Sequence, residues 1–356
     1  MKKIVTILGA RPQFVKAAVL SRIISKYKVV EEVIVHTGQH YDANMSDIFF
    51  NEMDIPKPKY NLAINGLSHG AMTGQMLQKI EEVLSIEKPD LVVVYGDTNS
   101  TLAGALAAKK MNIKLAHVEA GLRSYNLEMP EEHNRIESDQ LSKWLFTPTS
   151  QASENLKKEG FSDNTITQVG DVMLDALQMF RSKAAHTLKM GPHSFFNKPF
   201  ALVTMHRFEN ISQPERLGFL VREINSFHRN VMPVWMPLHP ATAARLEEFG
   251  LKLEVKIAPP VGYLEMLWAL QQTTLVLTDS GGLQKEAYYS DKPCVTLRGE
   301  TEWIELIEMG ASVLFDPNKT EELIPTARGI ISSFKPGSKD LYGAGRASQA
   351  IVAALG

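Results

Sequence analysis

The sequence predicts an α/β protein built from two doubly wound parallel sheets. Short continuous apolar runs such as LVVVY (91–95) and LVLT (275–278) read as strands buried on both faces. Longer amphipathic segments alternate with them, the pattern of βαβ units. A length of 356 residues suggests two domains, at roughly 100–200 residues each.

Taken in order, strands are expected at Ile4–Leu8, Glu32–Val35, Leu91–Tyr95, Leu115–Val118 and Thr165–Val169. A second series follows at Ala201–Thr204, Val234–Leu238, Leu253–Ile257, Leu275–Leu277 and Cys294–Leu297. Helices are expected between them at Phe14–Ser25, His69–Leu84, Thr101–Met111, Glu131–Ser142 and Ser150–Glu159. Later ones are Pro214–Phe227, Ala241–Phe249, Tyr263–Gln272 and Gly282–Tyr289. One unperiodic stretch with Gly and Pro, HTLKMGPHSFFNKP, interrupts the alternation. The boundary is therefore placed near Gly170, giving an N-terminal domain 1–170 and a C-terminal domain 171–356 that face each other. The last helical segment, Ala347–Leu355, is expected to pack back on the first domain.

Composition narrows the function. Apolar residues are 44% and charged residues 22%, as in ordinary globular chains. Lys plus Arg is 38 against Asp plus Glu 40, so no basic footprint points to nucleic acid. A lone cysteine, Cys294, excludes an intramolecular disulfide and a multi-cysteine zinc site and fits a reducing compartment. No apolar run approaches the ~18 residues of a membrane span. The opening MKKIVTILGARPQF lacks a secretory pattern. A cytoplasmic protein without a membrane partner is the expectation.

In open α/β sheets ligands lie beyond the carboxyl ends of the strands. The residues following each apolar run are therefore the candidates. Ser280-Gly281-Gly282 before a helix is the clearest anion site, because backbone N–H groups at a helix start suit a phosphate. Glu286 lies one turn further, on a face able to reach a ribose diol. The plainer reading is a tight turn. Gly9-Ala10-Arg11-Pro12 is no GxGxxG fingerprint, and no phosphate loop ending in Gly-Lys-Ser/Thr occurs. Arg11 and Lys16 instead suit neutralisation of a diphosphate, against a plainer reading of a structural Arg and a surface Lys.

Asp97, Glu119, Glu131 and Glu132 are the acidic candidates. Asp97 and Glu119 end adjacent apolar runs, where carboxylates near a sugar ring can remove and return a proton. The plainer reading of Asp97 is a helix N-cap, and that of Glu131 with Arg135, four residues on, an exposed ion pair. His206 and His239 each end a strand of the second half. No HExxH or comparable ligand spacing occurs, so no metal is expected.

The stretches GARPQFVKAA, HTGQHYDANM, VVYGDTNSTLAGALAA, HVEAGLRS, PEEHNR, MHRFEN and TDSGGLQKEA resemble, in order and spacing, those of the non-hydrolysing UDP-N-acetylglucosamine 2-epimerases. That resemblance implies two Rossmann-like domains of the glycosyltransferase-B type with a UDP-sugar between them, a homodimer and no nicotinamide cofactor. It implies inversion at C2 through elimination of UDP to a 2-acetamidoglucal and re-addition. On matching positions, Asp97, Glu119, Glu131 and His206 look like the catalytic group, and Arg11, Lys16 and Arg135 like diphosphate or sugar contacts. Ser280, Gly281, Gly282 and Glu286 look like the UDP-binding turn. Gln39, His40, Arg207 and His239 match a second, activating UDP-sugar site, whose usual Arg is replaced near Gln75.

Two departures, Gln13 after Arg11-Pro12 and Trp303 within Thr301-Glu302-Trp303-Ile304-Glu305, resemble the sister group acting on UDP-2,3-diacetamido-2,3-dideoxyglucuronate, which feeds surface-polysaccharide synthesis. The competing readings are a hydrolysing epimerase, which releases free sugar, a glycosyltransferase of the same build, which needs an acceptor, and a non-catalytic UDP-sugar sensor.

Overall fold

Two separate parallel sheets organise the described residues of the computed structural model, which are 2–27, 30–39, 52–187, 198–319, 322–335 and 339–356. The first sheet contains β1 (Lys2–Leu8), β2 (Val30–His36), β3 (Tyr60–Asn61), β4 (Leu91–Tyr95), β5 (Lys114–Val118), β6 (Trp144–Thr147) and β7 (Ile166–Gln168). Its order is β3-β2-β1-β4-β5-β6-β7, every pair parallel. Helices α1 (Arg11–Tyr27), α2 (His69–Glu87), α3 (Asn99–Lys110), α4 (Pro130–Leu141) and α5 (Ser150–Lys158) alternate with these strands, and α6 (Val172–Thr187) follows the last. The chain order reverses between β1 and β4, so the turns after those two strands flank the switch point, where ligands of such sheets bind.

The second sheet contains β8 (Ala201–Thr204), β9 (Val234–Pro237), β10 (Lys256–Ala258), β11 (Leu275–Thr278), β12 (Cys294–Thr296) and β13 (Ser312–Leu314). Its order, β10-β9-β8-β11-β12-β13, is again parallel and reverses between β8 and β11. Its helices are α7 (Phe208–Ile211), α8 (Pro214–Asn230), α9 (Pro240–Glu248), α10 (Tyr263–Gln272), α11 (Gly281–Tyr289), α12 (Ile304–Glu308) and α13 (Leu323–Ser333). The chain ends in α14 (Ala347–Leu355).

Each sheet has its own core. In the first, Met76, Ile80 and Val83 of α2 and Ala103 and Ala107 of α3 pack with Val5, Ile7, Val92 and Val94. In the second, Leu220, Ile224 and Phe227 of α8 and Ala327 of α13 pack with Val203, Val234, Leu275 and Leu277. Burial of each large aliphatic side chain contributes about 1.5–3 kcal/mol.

The chain divides into Met1–Met179 with Lys339–Gly356, and Phe180–Ser338. The expected boundary near Gly170 shifts into α6, and the last helix packs back on the first unit as expected. The first half of α6 buries Val172, Met173, Leu174, Ala176 and Leu177 within the first unit. The C-terminal segment also joins that unit. Asp175 accepts hydrogen bonds from the N–H groups of Ala347 (3.2 Å) and Ser348 (2.7 Å), and so caps α14 from outside. The Asp171 N–H donates to the Tyr342 carbonyl at 2.9 Å, and α14 packs on α1. Most of the unperiodic stretch 186–199 lies outside the described residues. Among the described residues no helix is long and apolar enough to cross a membrane.

Candidate functional site

In the first unit, chemistry gathers around the turn after β4. Thr98, not Asp97, caps α3: its hydroxyl accepts from the Thr101 N–H and the Thr101 side chain answers in a capping box. The N-cap reading of Asp97 is thereby corrected, and its carboxylate is available to pair with Arg135 of α4. Arg135 also binds Glu132 at 2.6 Å, one residue on from the Glu131 of the plainer ion-pair reading. Asn134 donates to the Asp97 carbonyl at 2.9 Å. Glu132 is wholly buried and structural. It receives the N–H groups of Ser124 and Tyr125, both at 2.9 Å, and folds the loop before α4. Glu131 beside it is half-exposed.

A second ion pair lies across the same turn. Lys16 of α1 meets Glu119, which follows β5, at 2.8 Å. Their side chains are only 7% and 12% exposed, so Lys16 is no surface lysine. Gly96 makes room for the pair: a Cβ there would stand 3.3 Å from the Lys16 Nζ and 3.8 Å from the Glu119 Oε1, at a φ of +61° that favours glycine. Glu119 itself holds a φ of +72°. Such backbone costs a non-glycine residue of order 1–3 kcal/mol and gathers at functional sites. Arg11 opens α1, half-buried. Thus Lys16 with Glu119, and Asp97 with Arg135, are brought together at the ends of β4 and β5. An open groove of 490 Å³ lies between α2, the start of α3 and α4, lined in part by His69, Thr73, Asn99, Glu128, His133 and Asn134.

Sequence reasoning passed over the support beneath this turn. His117, inside β5 and fully buried, meets the Asp139 carboxylate through Nδ1 and the Gly96 carbonyl through Nε2, each at 2.7 Å. Asp139 also binds Arg123 at 2.8 Å, and Arg123 reaches Glu159. The signal was the polar His117 inside the apolar run Leu115–Val118.

In the second unit, β11 runs into Asp279 and Ser280. Ser280 caps α11, with its hydroxyl accepting from the Leu283 N–H at 3.5 Å. Gly281 is the crowded one of the two: a Cβ there would stand 2.3 Å from a Glu302 carboxylate oxygen, which would have to shift, whereas one on Gly282 would meet open space. Glu302 is held by Arg298 at 2.9 Å, with Arg207 at 3.7 Å. Glu286 is buried on α11, and the Lys285 ammonium lies 3.9 Å from the centre of the Trp303 ring.

The loop after β8 hangs on Asp279, a fully buried carboxylate that sequence reasoning did not single out. It accepts from the N–H groups of His206 and Arg207, both at 2.9 Å, and from Asn210 at 3.1 Å. The His206 side chain is left 39% exposed, its ring 5.4 Å from that of His239. His239 caps α9 by accepting from the Ala241 N–H. Gln39, in the first unit, accepts from the Ser100 N–H and hydroxyl at 3.0 and 2.8 Å. His40 lies outside the described residues. Among the described residues no group of three His, Cys, Asp or Glu is arranged to hold a metal.

The chain is similar to known proteins along its whole length. The family model for UDP-N-acetylglucosamine 2-epimerase matches residues 22–356. The chain is 52% identical to the UDP-2,3-diacetamido-2,3-dideoxy-D-glucuronate 2-epimerase of Pseudomonas aeruginosa, over 98% of each chain. It is 44% identical to the UDP-N-acetylglucosamine 2-epimerase of Methanocaldococcus jannaschii, over 99% of this chain and 98% of the other. The crystal structure of the Methanocaldococcus jannaschii UDP-GlcNAc 2-epimerase in complex with UDP-GlcNAc and UDP is similar with a TM-score of 0.92 at 42% identity, covering 100% of this chain and 99% of that one.

Proposed function

The chain belongs to the UDP-N-acetylglucosamine 2-epimerase family, and from that premise we propose that it is a non-hydrolysing 2-epimerase of UDP-2-acetamido sugars. The observation that carries the reading is the pair of carboxylate–cation contacts, Asp97 with Arg135 and Glu119 with Lys16, on either side of the turn after β4. The 52% identity to the Pseudomonas aeruginosa enzyme, with Gln13 and Trp303, favours UDP-2,3-diacetamido-2,3-dideoxyglucuronate as the substrate.

The chemistry sets the roles. A carboxylate takes the C2 proton, the C2–H electron pair forms the C1–C2 double bond, and the C1–O electron pair departs with UDP. UDP then re-adds at C1 while a proton returns to C2 from the opposite face. A non-acidic C2–H needs a base within hydrogen-bond reach, and Asp97, Glu119, Glu131 and His206 form the acid/base group in this reading. Departure of UDP needs positive charge at the diphosphate, supplied by Arg11, Lys16 and Arg135. The Ser280-Gly281-Gly282 turn offers backbone N–H groups to the diphosphate, and Glu286 takes the ribose.

The same reading makes the protein a cytoplasmic homodimer supplying precursors of surface polysaccharide. For the second UDP-sugar site matched by Gln39, His40, Arg207 and His239, the replacement of its usual Arg near Gln75 favours an enzyme that needs no second UDP-sugar as activator. A hyperbolic dependence of rate on substrate is expected. The test of the function is to incubate the protein with UDP-GlcNAc and with its 2,3-diacetamido uronic counterpart and follow the anomeric NMR signals. A UDP-linked 2-epimer supports the proposal. Free sugar and UDP make the protein a hydrolysing enzyme, and unchanged substrate in both cases removes the proposal.

A further inference from the structure

We propose that Lys285 and Trp303 are positioning residues: the buried ammonium lies on the indole face and clamps segment 301–303 onto α11, which holds the Glu302 carboxylate against Gly281 and so sets the shape of the Ser280-Gly281-Gly282 turn. The inference deepens the proposed function, because it rests on reading that turn as the seat of a nucleoside diphosphate. Lys285 is 1% exposed and Trp303 2%. The Lys285 Nζ lies 3.9 Å from the centre of the ring. An ammonium taken out of water loses its hydration, and the electron-rich face of an indole at this range replaces part of that attraction. The contact is stronger for being desolvated.

The clamp reaches the turn through its neighbours in sequence. Gln284, just before Lys285, accepts from the Thr301 hydroxyl at 2.8 Å and donates to the Ser280 carbonyl at 3.4 Å. The Trp303 N–H donates to the same Thr301 hydroxyl at 3.2 Å. Two consecutive residues of α11 thus grip Thr301 and Trp303, and Glu302 lies between them. A Cβ on Gly281 would stand 2.3 Å from one Glu302 carboxylate oxygen and 3.4 Å from the Trp303 Nε1. Arg298 holds the other carboxylate oxygen at 2.9 Å. The clamp fixes the backbone of Glu302 while Arg298 fixes its tip. Methionine in place of Lys285 fills a similar volume without charge, and leucine in place of Trp303 leaves the ammonium without its ring.

Lys285→Met, Trp303→Leu, the double variant and Trp303→Phe are compared with the native protein for the Kd of UDP, by calorimetry, and for the denaturation midpoint. Lys285→Met and Trp303→Leu are each expected to weaken UDP binding about tenfold, and the double variant no further than Trp303→Leu alone. Trp303→Phe keeps an aromatic face and is expected to stay within about threefold of native. A second readout separates a clamp from plain core packing. Gly281→Ala drives a methyl toward Glu302, and its loss of UDP affinity should be at least about threefold smaller in the Lys285→Met background, where a released Glu302 can yield. Should the Leu variant fail to fold, the Phe variant and the Gly281→Ala comparison still decide. Additive losses from Lys285→Met and Trp303→Leu, a Phe variant as weak as the Leu variant, or an undiminished Gly281→Ala loss overturns the inference. The midpoint arm does not depend on UDP, and the same non-additivity is expected there. A native protein that fails to bind UDP retires the reading of the turn instead, and the midpoints then decide the clamp.

Discussion

At the scale of single residues, each carboxylate is defined by what it touches. Asp97 differs from Glu132 because Glu132 spends its oxygens on Ser124, Tyr125 and Arg135 in the interior, while Asp97 is only partly covered. Asp97→Asn keeps the shape and removes the base. It should lower kcat by about 10²–10⁴-fold and leave the Kd for UDP within about twofold, measured by calorimetry. Equal loss of binding would make Asp97 structural. Gly281→Ala drives a methyl into Glu302, which Arg298 holds in place, so overpacking of typically 1–3 kcal/mol is expected as a lowered denaturation midpoint, with weaker UDP binding. Cys294 is a third case. Burial pushes its thiol up to about 12, so thiol reagents should leave the native protein active and label it only after unfolding.

At the scale of elements, α2 ends in an ion-pair cluster that ties it to the sheet. Glu87 binds Lys59 at 2.6 Å, the Tyr60 hydroxyl, and Lys3 of β1 at 3.2 Å. The hydrogen bonds from Lys59, then Tyr60, hold its carboxyl at about 2, against an ordinary 4.5. A lowered folded value means stability that is present above pH 4.5 and lost as pH falls toward 2. Glu87→Gln should therefore be less stable than native at neutral pH and lose less stability across that acid range, read by denaturant titration. Elements were legible where burial was two-sided. Leu91–Tyr95, Ala201–Thr204 and Tyr263–Gln272 form as their apolar patterns indicate. Trp144–Thr147 was missed because it follows α4 almost directly, with no Gly or Pro to mark a turn. Tyr60–Asn61 and Ser312–Leu314 are too short to show a period. The helix Leu323–Ser333 was hidden by Pro325 and Gly329, yet a proline in the first turn needs no N–H.

At the scale of the whole molecule, two parallel sheets of similar design end in different sets of polar residues, and those sets were legible as the residues that follow each apolar run. What the sequence did not show was long-range support. Nothing local reveals that Asp175 caps α14 more than 170 residues away, at a separation of 172, or that Asp279 gathers the His206 loop. Nor does it reveal that His117 props Gly96. Such pairings depend on which strands become neighbours, and strand order is not written in any one segment. The central claim is that carboxylates at the ends of β4 and β5 move the C2 proton of a UDP-linked sugar. It is tested most directly by incubating the protein with UDP-2-acetamido sugars in D2O and reading C2 by NMR. The account predicts solvent deuterium at C2 of the UDP-linked sugar in both epimers, abolished by Asp97→Asn. A C2 position that keeps its protium in every such sugar, with UDP bound, would contradict it.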